Sequence, residues 1–111
     1  MITITGKEQL EEFVWEFREQ ITIVMFGASW CEPCKILKET LNMEKVYSSM
    51  PKATIGYINV DDEENISLCE EYNIKKLPSV CFFKTHGGSI LLTDIITGTN
   101  FEKILEIYLK K

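Results

Sequence analysis

The chain has 111 residues, 45% of them hydrophobic and 26% charged, with a formal net charge of −5. That length suits one domain able to bury a core without staples, and that composition excludes a disordered chain. The acidic balance disfavours phosphate backbones and anionic lipid, so neither nucleic acid nor a membrane surface is expected as a partner.

Taken in order, Ile2-Thr3-Ile4-Thr5 alternates as a short strand. Thr5 and Glu8 form a T-x-x-E capping box, and Leu10, Phe13, Val14 and Phe17 follow at helical spacing, predicting a helix from Lys7 to about Arg18. Ile21 to Ala28 is β-branched and apolar without face alternation, as in a strand covered on both sides. It is also the longest apolar run and is too short to span a bilayer. A helix is predicted from Pro33 to Ser49, with Ile36, Leu37, Leu41 and Val46 facing the core and Pro51 ending it. Ala53 to Val60 reads as a second buried strand. Glu63 to Tyr72 reads as a short helix with Ile66, Leu68 and Cys69 partly inward, its Asp61–Glu64 start solvated.

The period then changes. Ser79 to Lys84 is a strand, Thr85-His86-Gly87-Gly88 a turn, and Ile90 to Thr97 the hairpin partner. Gly98 breaks that strand. Thr99 and Glu102 form a second capping box before a last helix with Phe101, Ile104, Leu105 and Tyr108 on one face. The order βαβαβαββα implies a mixed sheet covered on both faces, with the hairpin at one edge.

Four cysteines are present: Cys31, Cys34, Cys69 and Cys81. Nothing at the N-terminus reads as a signal peptide, so an intracellular, cytoplasmic location is expected and a structural disulfide framework is not. Cys31 and Cys34 form a C-x-x-C, a spacing shared by redox pairs and half zinc sites. Here it follows a buried strand and opens a helix, where unpaired N–H groups and the helix dipole favour a thiolate. Two intervening residues bring the second thiol one turn along, within reach of a disulfide, and Pro33 suits the first helical turn. Cys69 and Cys81 read as packing residues, and His86 as a solvated turn residue.

Trp30-Cys31-Glu32-Pro33-Cys34 resembles the WCGPC signature of thioredoxins. Phe26 and Ala28 before it, Lys35 after it, Asn59 and Asp61, the run Leu77-Pro78-Ser79, Phe82-Phe83-Lys84 and Gly98 match at family spacing. The resemblance implies the thioredoxin fold, a central mixed five-stranded sheet flanked by four helices. It also implies a monomeric protein-disulfide reductase that needs no cofactor or metal, acts on disulfide-containing proteins and is recharged by a flavoprotein of the thioredoxin-reductase type. Cys31 would be the attacking thiol and Cys34 the resolving one. Pro78 would be a cis-proline facing the pair, and Leu77 would offer backbone groups to an extended substrate segment. Trp30, Glu32, Pro33, Leu77, Pro78 and Gly98 would make up the substrate surface. A scaffold subunit with weak redox activity and a C-x-x-C metal-binding protein are the rival readings.

Several positions depart from the family. The usual buried Asp is Met25 and its Lys partner is Tyr57, both read as core filler; resolution by Cys34 would then lean on water or another base. Glu32 stands for Gly, a charge that raises a neighbouring thiol's pKa unless the helix dipole, Lys35, Lys75 or Lys76 offsets it. Gly27 replaces a Trp, leaving space beside the active site. Glu39 replaces a helix-kinking proline and implies a straighter helix.

Overall fold

The computed structural model describes residues 1–111, and every strand joins one mixed sheet. The strands are β1 (Ile2–Thr3), β2 (Ile21–Gly27), β3 (Ala53–Asn59), β4 (Ser79–His86) and β5 (Ser89–Thr97), in the order β1-β3-β2-β4-β5. β2 runs parallel to β3 and antiparallel to β4. Its central place explains its run of buried, mainly apolar side chains, since both faces are covered. Successive β2 residues serve two separate cores. Ile23 and Met25 face one layer with Leu37, Leu41, Ile104 and Tyr108, while Val24 and Phe26 face the other with Leu10, Phe13, Val14 and Leu68.

The helices are α1 (Gly6–Glu16), α2 (Glu32–Asn42), α3 (Glu44–Ser48), α4 (Ile66–Glu71) and α5 (Phe101–Leu109), with a 3₁₀ turn at Glu63–Asn65 ahead of α4. There are thus five helices where four were expected. The stretch read as one helix from Pro33 to Ser49 breaks at Met43, whose φ of −68° and ψ of 133° are extended. α2 runs through Glu39 without interruption. Leu37 and Leu41 are buried as expected and Val46 is half-buried, but Ile36 is 54% exposed. Ile66 likewise faces solvent, because it is the first residue after the 3₁₀ turn; Leu68 carries the inward contact.

Neither expected capping box forms. Thr5 is the residue ahead of α1, but its side chain caps nothing; its own N–H donates to Gln9 Oε1 at 2.9 Å. The N–H of Gly6 donates instead to Asn65 Oδ1 at 2.7 Å, while Asn65 Nδ2 donates to the Asn59 carbonyl at 2.8 Å. Buried Asn65 therefore ties the start of α1 to the end of β3. At α5 the cap is Asn100 rather than Thr99, its Oδ1 accepting from the Lys103 N–H at 3.1 Å. The hairpin turn is also tighter than read. Thr85 and His86 stay in β4, paired with Ile90 and Ser89, so Gly87-Gly88 alone turns the chain, with Gly87 at φ +62°.

Candidate active site

The end of β2 delivers the chain to the cysteines. β2 finishes at Gly27, Ala28 is buried, and the Cys31 N–H donates to the Ala28 carbonyl at 3.2 Å. Cys31 is the N-cap of α2 in extended backbone (φ −90°, ψ 107°), and its sulfur accepts the Cys34 N–H at 3.3 Å. Pro33 has no N–H to offer in that first turn, so the Cys34 donor is the one directed at the sulfur. Charge building on Cys31 Sγ therefore meets an N–H and the positive end of a helix. Cys31 and Cys34 are joined in a disulfide with their Cα atoms 5.2 Å apart. Both are buried, Cys31 at 7% exposure and Cys34 at 2%.

The other expected site residues fall into two groups. Trp30 is 68% exposed and Glu32 and Pro33 are also at the surface around Cys31. The Glu32 carboxylate pairs with Lys35 at 3.4 Å within one helical turn, both side chains lying exposed. Leu77, Pro78 and Gly98 gather where β4 begins and β5 ends. The Leu77–Pro78 peptide is cis. The pairing of Phe26 with Ser79 sets Pro78 at the end of the sheet where β2 leaves for Cys31. The Gly98 N–H donates to the Pro78 carbonyl at 2.8 Å, and nothing stands within 4 Å of where a Gly98 side chain would begin. Leu77 is half-buried and its backbone N–H and C=O make no hydrogen bond within the chain. An open, mainly apolar cleft of about 630 Å³ runs past Leu77 along Val60, Ile66, Ile74 and the half-buried Cys69.

Tyr57 packs against the core from its edge and is only half-buried, and the room left by Gly27 is not vacant. Met25 is fully buried, but Tyr57, its partner across β2 and β3, is half-buried and turns its ring to the active-site end. A Cβ added at Gly27 would stand 3.1 Å from that ring, 3.2 Å from its Oη and 3.4 Å from Cys34 Cβ. Tyr57 thus occupies space that a side chain at Gly27 would need. Burial, reinforced by Asp61, raises the Tyr57 pKa and keeps the phenol neutral. Lys38 lies over the ring, its Nζ 4.0 Å from the centroid. A second cleft of about 300 Å³ opens here, lined by Ala28, Ser29, Cys34, Lys38, Tyr57 and Asn59. Lys38 is the residue that reading along the chain passed over. Its i,i+4 spacing from Cys34 on the helix was the available signal.

The remaining thiols are held as thiols. Burial pushes Cys81 up to about 12, and burial with neighbouring Glu70 also raises Cys69. No third His, Cys, Asp or Glu stands with the Cys31–Cys34 pair to make up a cluster of metal ligands.

Comparison with known proteins agrees with this geometry. The thioredoxin family model matches residues 1–111. A thioredoxin from Chlamydia pneumoniae is 33% identical over 84 residues, covering 76% of each chain. Thioredoxin-T of Drosophila melanogaster is 28% identical over 94% of this chain, which spans 62% of that protein's length. The solved thioredoxin structure from Trichomonas vaginalis superposes with a TM-score of 0.82 at 24% identity, covering 99% of this chain and 96% of that one. With a helix opening beneath a dithiol pair and the family's pattern running the length of the sequence, the chain belongs to the thioredoxin family and is a thiol–disulfide oxidoreductase.

Proposed function

We propose that this oxidoreductase works as a reductant of protein disulfides, with Cys31 attacking and Cys34 resolving. One observation carries the assignment of roles: Cys31 Sγ sits at the N-cap of α2 and accepts the Cys34 N–H at 3.3 Å. A thiolate there is stabilised before any substrate arrives, whereas Cys34 is more deeply buried. The Cys31 thiolate attacks one sulfur of a substrate disulfide and expels the other as a thiolate, leaving a mixed disulfide. Cys34 then attacks Cys31 Sγ, the bond to the substrate breaks, and the Cys31–Cys34 disulfide closes. Two electrons have passed to the substrate, whose thiolates take up the protons.

The unpartnered backbone of Leu77 suits a substrate strand laid beside it, with Trp30, Glu32, Pro33, Pro78 and the open surface at Gly98 shaping its seat. Thioredoxins are reduced by thioredoxin reductase, and a flavoprotein of that type is the proposed electron donor. The two unpaired cysteines, Cys69 and Cys81, fit a reducing compartment, and the cytoplasm is the proposed location, with a monomer as the working form.

Reduction of insulin disulfides tests the roles. Cys31→Ser abolishes turnover, whereas Cys34→Ser loses turnover but accumulates a mixed disulfide visible by mass. Activity retained without Cys31 would overturn the assignment. The couple's potential tests the direction. A value near −270 mV, the general thioredoxin figure, marks a reductant, and one near about −120 mV an oxidant.

A further inference from the structure

Cys34 poses a problem that the fold must answer. Burial disfavours its ionised form, yet it must lose a proton to resolve the mixed disulfide. Its own backbone N–H is committed to Cys31 Sγ. The β2 residue paired with Tyr57 is apolar Met25, and no carboxylate lines the cleft beside Cys34. A buried proton acceptor is absent from the side where one would serve.

A positive charge is present instead. Lys38 follows Cys34 by one turn of α2 and lines the same cleft. Its ammonium rests over the Tyr57 ring at 4.0 Å, and the Tyr57 Oη and Cys34 Cβ both lie within 3.4 Å of the point where a Gly27 Cβ would stand. The ring that seats the lysine and the cysteine therefore border the same point beside Gly27. Lys35, the other cation of the cleft, is occupied by Glu32 at 3.4 Å, whereas Lys38 makes no ion pair. The charged and titratable groups around Cys34 are thus Lys35 and Lys38 from α2, Tyr57 from β3, and Asp61 acting on Tyr57 from the loop beyond; β2 contributes none.

We infer that Lys38, seated on the Tyr57 ring, is the electrostatic positioning residue that lets Cys34 ionise, doing with a cation what a buried acceptor would do by taking the proton. The inference rests on Cys34 being the resolving thiol. The Cys34 S–H gives its proton to water entering the open cleft, and the thiolate is stabilised by the ammonium. The thiolate attacks Cys31 Sγ, the bond from Cys31 to the substrate sulfur breaks, and the departing substrate thiolate is protonated from water. Tyr57 stays a neutral phenol throughout and serves to hold the lysine. Met25, Gly27, Lys38 and Tyr57 act as one arrangement. Gly27 makes room for the ring, the ring seats the lysine, and the lysine makes a carboxylate at position 25 unnecessary.

The test separates the two chemical steps with the uncharged reagent dithiodipyridine, in a Cys69→Ser chain so that no accessible third thiol contributes. Attack by Cys31 releases one thiopyridone and resolution by Cys34 the second. Lys38→Met is expected to leave the first release unchanged and to slow the second about tenfold at neutral pH, the effect of about one pKa unit. Lys38→Arg should restore it to within about twofold, since the charge and its stacking are kept. Tyr57→Leu, which unseats the lysine, should slow the second release part of the way. In a Cys31→Ser background, the Cys34 ¹³Cβ titration should move to higher pH with Lys38→Met and return with Lys38→Arg. A second release unaltered by Lys38→Met, both releases slowed alike, or an unmoved titration would each overturn the role of Lys38. A wild-type chain giving no second release at any pH would instead undo the resolving role of Cys34.

Discussion

At the scale of single residues, small and large side chains trade space across the sheet. Gly27 admits the Tyr57 ring on the active-site side, and Gly56, one residue before Tyr57, makes room for Ile4 and Phe13 on the opposite face. A Cβ at Gly56 would collide with Ile4 Cδ1 and press on the Phe13 ring at 3.2 Å. Ile4 and Phe13 are buried and belong to the apolar layer under α1, so neither can swing into solvent. Gly56→Ala is therefore expected to destabilise the fold by about 1–3 kcal/mol, the usual cost of overpacking a filled core. Chemical denaturation checks this. An unchanged midpoint would mean that Ile4 shifts freely, against its complete burial. The substitution lies on the face away from Cys34, so disulfide reduction by the folded fraction should stay as it is.

At the scale of elements, helix starts in this chain are set by tertiary partners as much as by neighbours in sequence. Thr5 and Glu8 have the right spacing for a capping box, but Gly6 at φ +83° intervenes and its N–H is taken by Asn65, 59 residues away. No local pattern contains that bond. The same holds at α5, where Asn100 supplies the cap and the T-x-x-E spacing beside it goes unused. The break at Met43 did leave a mark, because Val46 follows Leu41 by five residues and falls off the helical stripe of Leu37 and Leu41. β2 and the amphipathic faces of α1 and α5 were also legible, since burial on two sides or on one stripe leaves a direct mark on residue type. At the site, Cys31, Cys34 and the cis bond before Pro78 were legible through a contiguous motif and the family spacing. The seating of Lys38 on Tyr57 was not, because that contact joins α2 to β3, although the spacing of Lys38 from Cys34 was in view. Asn65 offers the sharpest test at this scale. Asn65→Ala removes both of its hydrogen bonds and leaves the Gly6 N–H and the Asn59 carbonyl without their partner. A loss of about 1–3 kcal/mol is expected, with faster amide exchange at Gly6 and the first turn of α1. If stability and exchange at α1 were unmoved, the clamp would be incidental.

At the scale of the whole molecule, the sheet has one protected centre and two edges of different character. β1 contributes only Ile2 and Thr3 at one edge, whereas β5 offers nine residues at the other. The register slips between Phe82 and Phe83, leaving Thr93 without a partner across the strands, and Thr93 Oγ1 donates to the Phe82 carbonyl at 3.2 Å. Such a bulge bends an edge strand away from flat pairing with other chains. Lys111 secures it from beyond α5. Its ammonium hydrogen-bonds to the Asp94 carboxylate, donates to Thr93 Oγ1 at 3.1 Å, and lies 5.5 Å from the centre of the Phe82 ring. That hydrogen bond from Lys111 is the main reason the Asp94 pKa falls below its ordinary value, with the Thr93 hydroxyl adding to it against partial burial. Because the folded pKa is depressed, the contribution to stability is present in full above the unfolded carboxylate's pKa and is lost as pH falls through the folded one. Both side chains are partly exposed at 31%, so the pair is worth at most about 1 kcal/mol, or about 4 °C in Tm for a domain of this size. Asp94→Asn should therefore melt lower than the parent at pH 7, and the gap should close as the pH drops below about 4. Thermal melts of the two chains across that range measure it. A gap that persists undiminished in acid would show that Asp94 acts through packing at the bulge and not through its charge.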